Sequence, residues 1–171
     1  EADRYARFEV TDYKQSLFVH CDRALAHAYR LGAHGLPLIG SGDWNDGMDR
    51  VGERGRGESI WLAWFLIATI RNFTLHCVDE RQTEFRDRWE ARVEALAAAV
   101  EQSGWDGEWY LRAFDDDGRP WGTSQEQECR IDSIAQSWSV LSNAADPERA
   151  RTALASARRY LVRNDDTLIR L

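Results

Sequence analysis

Asp43, Trp44, Asn45 and Asp46 place two carboxyl groups, an indole and a carboxamide on four consecutive residues, inside the stretch G40-S-G-D-W-N-D-G-M-D49. That set suits carbohydrate chemistry. A sugar site needs carboxylates that grip hydroxyls, an aromatic platform, and one carboxyl group poised to protonate a glycosidic oxygen. Glycines on both sides let the backbone come close to a ligand. Three other chemistries fit less well. Asp43, Asn45 and Asp49 resemble the start of a calcium loop, but its sixth position is Met48 and its twelfth is Arg54, where glycine and glutamate are required. Gly52, Gly55 and Gly57 resemble a phosphate cradle, yet no G-K-[ST] follows and no strand precedes them. A plain connecting turn explains Asp, Asn and Gly but not Trp44.

The elements that position this loop are helical. Apolar residues at Tyr13, Leu17, Cys21, Ala24, Ala28 and Leu31 predict a helix over 13–31, closed by Gly32. The glycine-rich loop then runs to about Gly57. Residues 58–77 are apolar on more than one face and predict a deeply buried helix. A third helix is expected over 84–100, with Phe85, Trp89, Val93, Leu96 and Val100 on its stripe. Bulky residues over 109–114, the turn formers of 115–118 and then Pro120-Trp121-Gly122 predict a short β-hairpin or ordered loop. Helices follow over 131–141 and from Asp146-Pro147-Glu148 to about Val162, with Asp146 as N-cap. Residues 1–10 read as a polar strand or loop, and 165–171 as a helix exit followed by something apolar. These abrupt ends suggest a piece of a larger chain. The fold class is all-α, an α/α barrel or a bundle, which periodicity alone does not separate.

Composition narrows the function. The 171 residues carry a net charge of −7 without a basic stripe, which argues against nucleic acid as a partner. Cys21, Cys77 and Cys129 are scattered and odd in number, which argues against a disulfide scaffold or zinc site and fits a reducing compartment. No apolar run reaches the length of a membrane span; the longest candidate, 60–70, is too short. Eight tryptophans exceed what core filling needs, and an indole face is a natural platform for a sugar ring.

The stretch G35-L-P-L-I-G-S-G-D-W-N-D-G-M-D49, followed by V51-G and G55-R-G-E-S-I-W61, resembles the glycoside phosphorylases that include cellobiose and chitobiose phosphorylases, glycoside hydrolase family 94. W105-D-G-E-W-Y-L-R-A-F114 and E128-C-R-I-D-S-I-A-Q-S-W138 extend the resemblance over nearly the whole chain. Within the family it looks most like the phosphorylase-like C-terminal region of cyclic β-1,2-glucan synthases. Gly47 stands where cellobiose-type enzymes have cysteine, which favours that branch.

The resemblance implies that residues 1–171 are a single partial (α/α)6-barrel catalytic domain, with a β-sandwich and the later part of the barrel elsewhere. It assigns Asp46 as the general acid and Trp44 to the subsite of the cleaved sugar. Asp43 and Asn45 become loop supports or hydroxyl ligands. The reaction implied is reversible, inverting phosphorolysis of a β-linked glucan to glucose 1-phosphate. The partners are then a β-glucan oligosaccharide and phosphate, and no metal or cofactor is needed beyond inorganic phosphate as co-substrate. The parent synthases are membrane proteins, and this part would face the cytoplasm. One acid suffices because phosphate is already anionic, whereas inverting hydrolases need two carboxyl groups roughly 6.5–9.5 Å apart. Asp46 is expected to hold its proton until attack through partial burial and the nearby charge of Asp43. Two alternatives stand beside this reading: an inverting hydrolase on a related α/α barrel, and a non-catalytic glucan-binding or structural part.

Other residues have plainer roles at this level. Glu58 is expected to complement the dipole of the helix it starts. Arg56 could meet phosphate or pair with an acid. His20, His27 and His34, seven apart, read as structural. Arg130, Asp132 and Gln136 fit an ion pair within the wall or a sugar contact, and Trp138 fits the core.

Overall fold

The computed structural model describes residues 9–10, 12–163, 165 and 167–170. The reading of 1–10 as a strand or loop thus lies almost wholly outside the described residues. The chain is mostly α. Its helices are α1 (Leu17–Ala28), α2 (Ile60–Thr74), α3 (Thr83–Ser103), α4 (Ser133–Leu141) and α5 (Pro147–Leu161). Short strands punctuate them: β1 (Glu58–Ser59), β2 (Ala113–Phe114), β3 (Pro120–Trp121), β4 (Val162–Arg163) and β5 (Leu168–Ile169).

Helix starts follow their caps. Helix α1 begins four residues later than periodicity predicts, because the Ser16 hydroxyl accepts from the Val19 amide at 3.3 Å. It also stops at Ala28, and Leu31 leaves the helix to bridge Pro37. Helix α2 starts at Ile60, capped by Ser59, whose hydroxyl accepts from the Leu62 amide at 3.1 Å. The predicted start of α4 shifts to Ser133, where the Asp132 side chain accepts from the Ile134 amide. Asp146 caps α5 as the sequence indicates, accepting from the amides of Glu148 and Arg149.

Helix α2 lies at the centre, packed against α1, α3 and α4. Ala63, Trp64, Ile67 and Ile70 are wholly inaccessible, which accounts for its apolar character on several faces. Trp89, Leu96 and Val100 of α3 enter the same core. Trp64 meets Tyr110 edge-on at 5.3 Å between centroids. Val140 and Leu141 of α4 and Leu154 of α5 stay exposed, on helix faces that nothing among the described residues covers.

The predicted hairpin is present as β2 and β3, and Asp115 closes its turn by donating its amide to the Arg119 carbonyl at 2.9 Å. It is not an isolated insertion. Strand β1 pairs with β2, Glu58 opposite Phe114, giving an antiparallel sheet ordered β1-β2-β3. The hairpin is thereby stitched to the end of the glycine-rich loop and the start of α2. Strands β4 and β5 pair separately, so the apolar start expected after α5 is a short ribbon.

Candidate active site

The loop between α1 and β1 is held by apolar anchors and by two carboxylates. Ile39, Met48 and Val51 bury their side chains together with Ala113 of β2. Asp116, from the hairpin turn, accepts the backbone N–H groups of Arg54, Arg56 and Gly57 at 2.7, 2.8 and 2.9 Å. Burial alone would push its carboxyl up; the three amides outweigh that and hold it below the usual carboxylate range. The chain passes so tightly here that a Cβ on Gly57 would lie 2.5 Å from the Val51 carbonyl oxygen.

The second carboxylate is Asp43. Its two oxygens accept from Arg112 Nη1 and Nη2, each at 2.7 Å. It also accepts from the Ser59 hydroxyl at 2.7 Å and the Asn45 amide at 3.1 Å. Both side chains of the pair are inaccessible, 4% for Arg112 and 0% for Asp43. Burial would raise the Asp43 carboxyl, but Arg112, Ser59 and Asn45 together hold it below its ordinary value. Arg112 Nε reaches Asp132 at 3.0 Å. One guanidinium therefore ties the loop to the caps of α2 and α4.

What remains free is the outer turn. Asn45 caps the one-turn 3-10 helix Asp46–Met48, its side chain accepting from the Gly47 amide at 2.9 Å. Asp46 opens that turn and is exposed. Trp44 is 56% exposed, and of the eight tryptophans only Trp121, at 44%, is also exposed. Both indoles line one cleft of about 510 Å³, together with Asp46, Arg112, Ile131 and Asp132. Asp46 also borders a wider hollow of about 990 Å³ on its other side, beside Asp49, Arg50 and Glu53.

The four predicted site residues thus separate by environment. Trp44 and Asp46 present themselves to the cleft, Asn45 shapes the turn, and Asp43 is spent on Arg112. The partial burial expected for Asp46 is absent, because the turn projects it outward. The charge expected from Asp43 is balanced by Arg112.

Several other expectations change with the fold. Glu58 does not sit at a helix N-terminus. It lies in β1, 1% exposed, and accepts the amides of His34 and Leu36 at 3.0 and 3.1 Å. His34 leaves the helix face shared by His20 and His27: its Nδ1 lies 2.5 Å from Glu58 Oε2 and its ring stacks on Phe114. Arg56 pairs with Asp117 at 3.7 Å, the acid-pairing option. Gln136 is wholly buried and bonds both the amide and the carbonyl of Tyr110, so it braces the core. Asp132 makes the wall ion pair, with Arg112 rather than Arg130; Arg130 lies over the Tyr160 ring. Trp138 is half-buried against Trp61 and Phe65. The three cysteines are free thiols, and no helix is long and apolar enough to cross a membrane among the described residues.

Sequence reasoning missed Arg112 and Trp121. Arg112 is 69 positions from Asp43, so no local pattern links them. The surplus of tryptophans was the one available signal for Trp121.

Comparison with known proteins agrees with this architecture. The pattern of the Glycosyl hydrolase 94 superfamily, catalytic domain, matches residues 2–170. The cyclic beta-(1,2)-glucan synthase NdvB of Rhizobium meliloti is 46% identical over 170 residues, covering 99% of this chain and 6% of the relative. The 3-O-beta-D-glucopyranosyl-beta-D-glucuronide phosphorylase of Paenibacillus borealis is 41% identical over 125 residues, 73% of this chain and 16% of the relative. The cellobionic acid phosphorylase of Neurospora crassa is 38% identical over 115 residues, 67% of this chain and 14% of the relative. The chain therefore spans a small share of each relative's length, and within that share the exposed tryptophan–aspartate turn and its buried support belong to a catalytic domain of the glycosyl hydrolase 94 superfamily.

Proposed function

We propose that this chain is part of an (α/α)6-barrel domain that carries out inverting phosphorolysis of a β-1,2-linked glucan to glucose 1-phosphate, within a cyclic β-1,2-glucan synthase. The similarity to NdvB over 99% of the chain supports the glucan, and the two phosphorylase relatives support the reaction type. By the same resemblance, the domain works on the cytoplasmic side of an inner-membrane-associated multidomain synthase.

The observation that carries the reading is the division of carboxyl groups around the cleft. Asp43 is committed to Arg112 and Ser59, and Asp132 to Arg112 and the α4 cap. Asp46 alone of the three is exposed beside Trp44. In the proposed step a phosphate oxygen bonds to the anomeric carbon from the face opposite the leaving group. The glycosidic C–O bond breaks, and the proton of the Asp46 carboxyl passes to the departing oxygen. The products are glucose 1-phosphate of inverted configuration and a glucan one unit shorter. Trp44 carries the cleaved sugar, and Asn45 fixes the turn that aims Asp46. No metal or cofactor enters; inorganic phosphate is the co-substrate.

Asp132 lines the same cleft as Asp46, which gives the hydrolytic alternative its second carboxylate. The test is to incubate the full-length protein with β-1,2-glucooligosaccharides, with and without inorganic phosphate. Phosphate-dependent release of glucose 1-phosphate is expected. Free glucose formed equally without phosphate would favour the hydrolase, with Asp132 as base. Glucan binding with no product would favour the binding-module alternative.

A further inference from the structure

Trp121 lines two cavities. One is the cleft that holds Trp44 and Asp46. The other is a cavity of about 250 Å³, walled by Asp115, Arg119, Glu126 and Glu128. The two share Trp121, Gly122 and Cys129, so they adjoin at the end of β3.

The ring is held in place at this junction. Its Nε1–H donates to Asp115 Oδ2 at 3.3 Å, which holds the indole edge at the hairpin turn. Its carbonyl accepts the Arg112 amide at 2.8 Å, within the β2–β3 pair. Gly122 follows at φ +80, and a Cβ there would come within 2.9 Å of the Arg112 nitrogen. The chain is therefore pressed against the buried Arg112 that supports the catalytic loop, and the indole stands on a braced strand rather than a free loop tip. Its exposed surface is apolar, and the wall around it carries a guanidinium and three carboxylates, of which Asp115 already accepts from the indole. That pairing of a flat apolar platform with charged hydrogen-bonding groups is what a pyranose ring needs, since its C–H face and its hydroxyls point in different directions.

We propose that the smaller cavity beside Trp121 is a second sugar subsite. It takes units of a β-glucan beyond the first one on the leaving-group side of the scissile bond, which a pentasaccharide has and a disaccharide lacks. The side follows from stoichiometry. Release of glucose 1-phosphate leaves one sugar unit on the Trp44 side of the bond, so every further unit of the chain must extend the other way. This inference rests on the phosphorolytic reading above. It adds that the domain discriminates chain length, with Trp121 as the residue that decides it.

The experiment compares the β-1,2-linked disaccharide and pentasaccharide as substrates for the full-length protein and for Trp121→Ala, Trp121→Phe and Arg119→Ala. The readout is the ratio of kcat/KM for the pentasaccharide to that for the disaccharide. Trp121→Ala is expected to lower the ratio about tenfold, the loss of one well-packed aromatic contact. Trp121→Phe should recover most of it, and Arg119→Ala should lower it in the same direction. An unchanged ratio in both Trp121→Ala and Arg119→Ala overturns the subsite. If the parent protein phosphorolyses no β-1,2-glucan, the reaction assignment fails, and binding then decides the subsite by itself. Fluorescence titration showing the pentasaccharide bound more tightly than the disaccharide, with the difference erased in Trp121→Ala, supports it. Equal affinity for the two sugars in the parent protein overturns it.

Discussion

Arg112 and Asp43 form a two-pronged ion pair, with both N–O distances at 2.7 Å and both side chains cut off from solvent. Arg112 comes from the hairpin and Asp43 from the glycine-rich loop. The pair joins the part of the chain that carries Asp46 to the sheet that carries Trp121. Parallel N–H···O bonds fix angle as well as distance, so the pair sets where the Asp46 turn stands relative to the cleft.

Replacing Arg112 should therefore damage both stability and activity. Arg112→Met leaves Asp43 as a buried carboxylate without its partner, a loss of about 3–5 kcal/mol. Arg112→Lys should recover little, because an ammonium cannot supply two parallel donors to one carboxylate. Thermal unfolding of the full-length protein and its variants checks this. A lysine variant with parental Tm would remove the geometric argument.

Asp46→Asn should behave in the opposite way. The side chain is exposed and supports nothing in the core, so Tm should stay at the parental value. Loss of the proton donor should lower kcat for phosphorolysis by about 10²–10⁴-fold, with KM little altered. Steady-state kinetics on a glucooligosaccharide with phosphate measures both terms. Retention of full kcat would end the general-acid assignment.

The tryptophans should divide by exposure. Trp44→Ala is expected to raise KM about tenfold with little change in stability, since the indole is 56% exposed. Trp89→Ala removes a wholly buried indole of α3, whose Nε1–H donates to Asp22 at 2.7 Å, and should cost about 3–5 kcal/mol. Parallel measurements of KM and of the urea midpoint separate the two effects.

The acid limit of stability should carry the signature of Asp43. Its folded carboxyl is held below the ordinary value by Arg112, Ser59 and Asn45, against the opposing effect of burial. A depressed folded value means that the unfolded state binds the proton more readily. The stabilisation is thus fully present above the unfolded pKa of about 3.9 and is lost as pH falls through the lower folded value. Urea midpoints taken from pH 7 down to about pH 3 should decline, and Asp43→Asn should flatten the lowest part of that curve. An equally steep decline in Asp43→Asn would assign the acid sensitivity to other carboxylates, Asp116 first among them.

By itself the sequence determined most of the helical elements and the residue types gathered on the loop. The periodic stripes of α3 and α5 and the cap at Asp146 are local properties, written in residues three or four apart. Asp43-Trp44-Asn45-Asp46 suggests a sugar site because the needed residue types are adjacent in the chain. Boundaries were less legible where tertiary contacts compete with periodicity. The helix expected over 58–77 takes in Glu58 and Ser59, yet these two are drawn into β1 by Phe114 and Ala113. Only the tertiary structure decided how the two aspartates of the loop differ. The sequence offers Asp43 and Asp46 as near equals three residues apart. Arg112, 69 positions from Asp43, takes that carboxylate out of solvent and leaves Asp46 in it. No local rule encodes that choice, because a buried ion pair depends on where the fold brings a distant guanidinium and on the dry surroundings that make the pairing obligatory. The same holds for Trp121, which reads as part of a short hairpin or ordered loop in the sequence and comes to line two adjoining cavities once β3 joins the sheet.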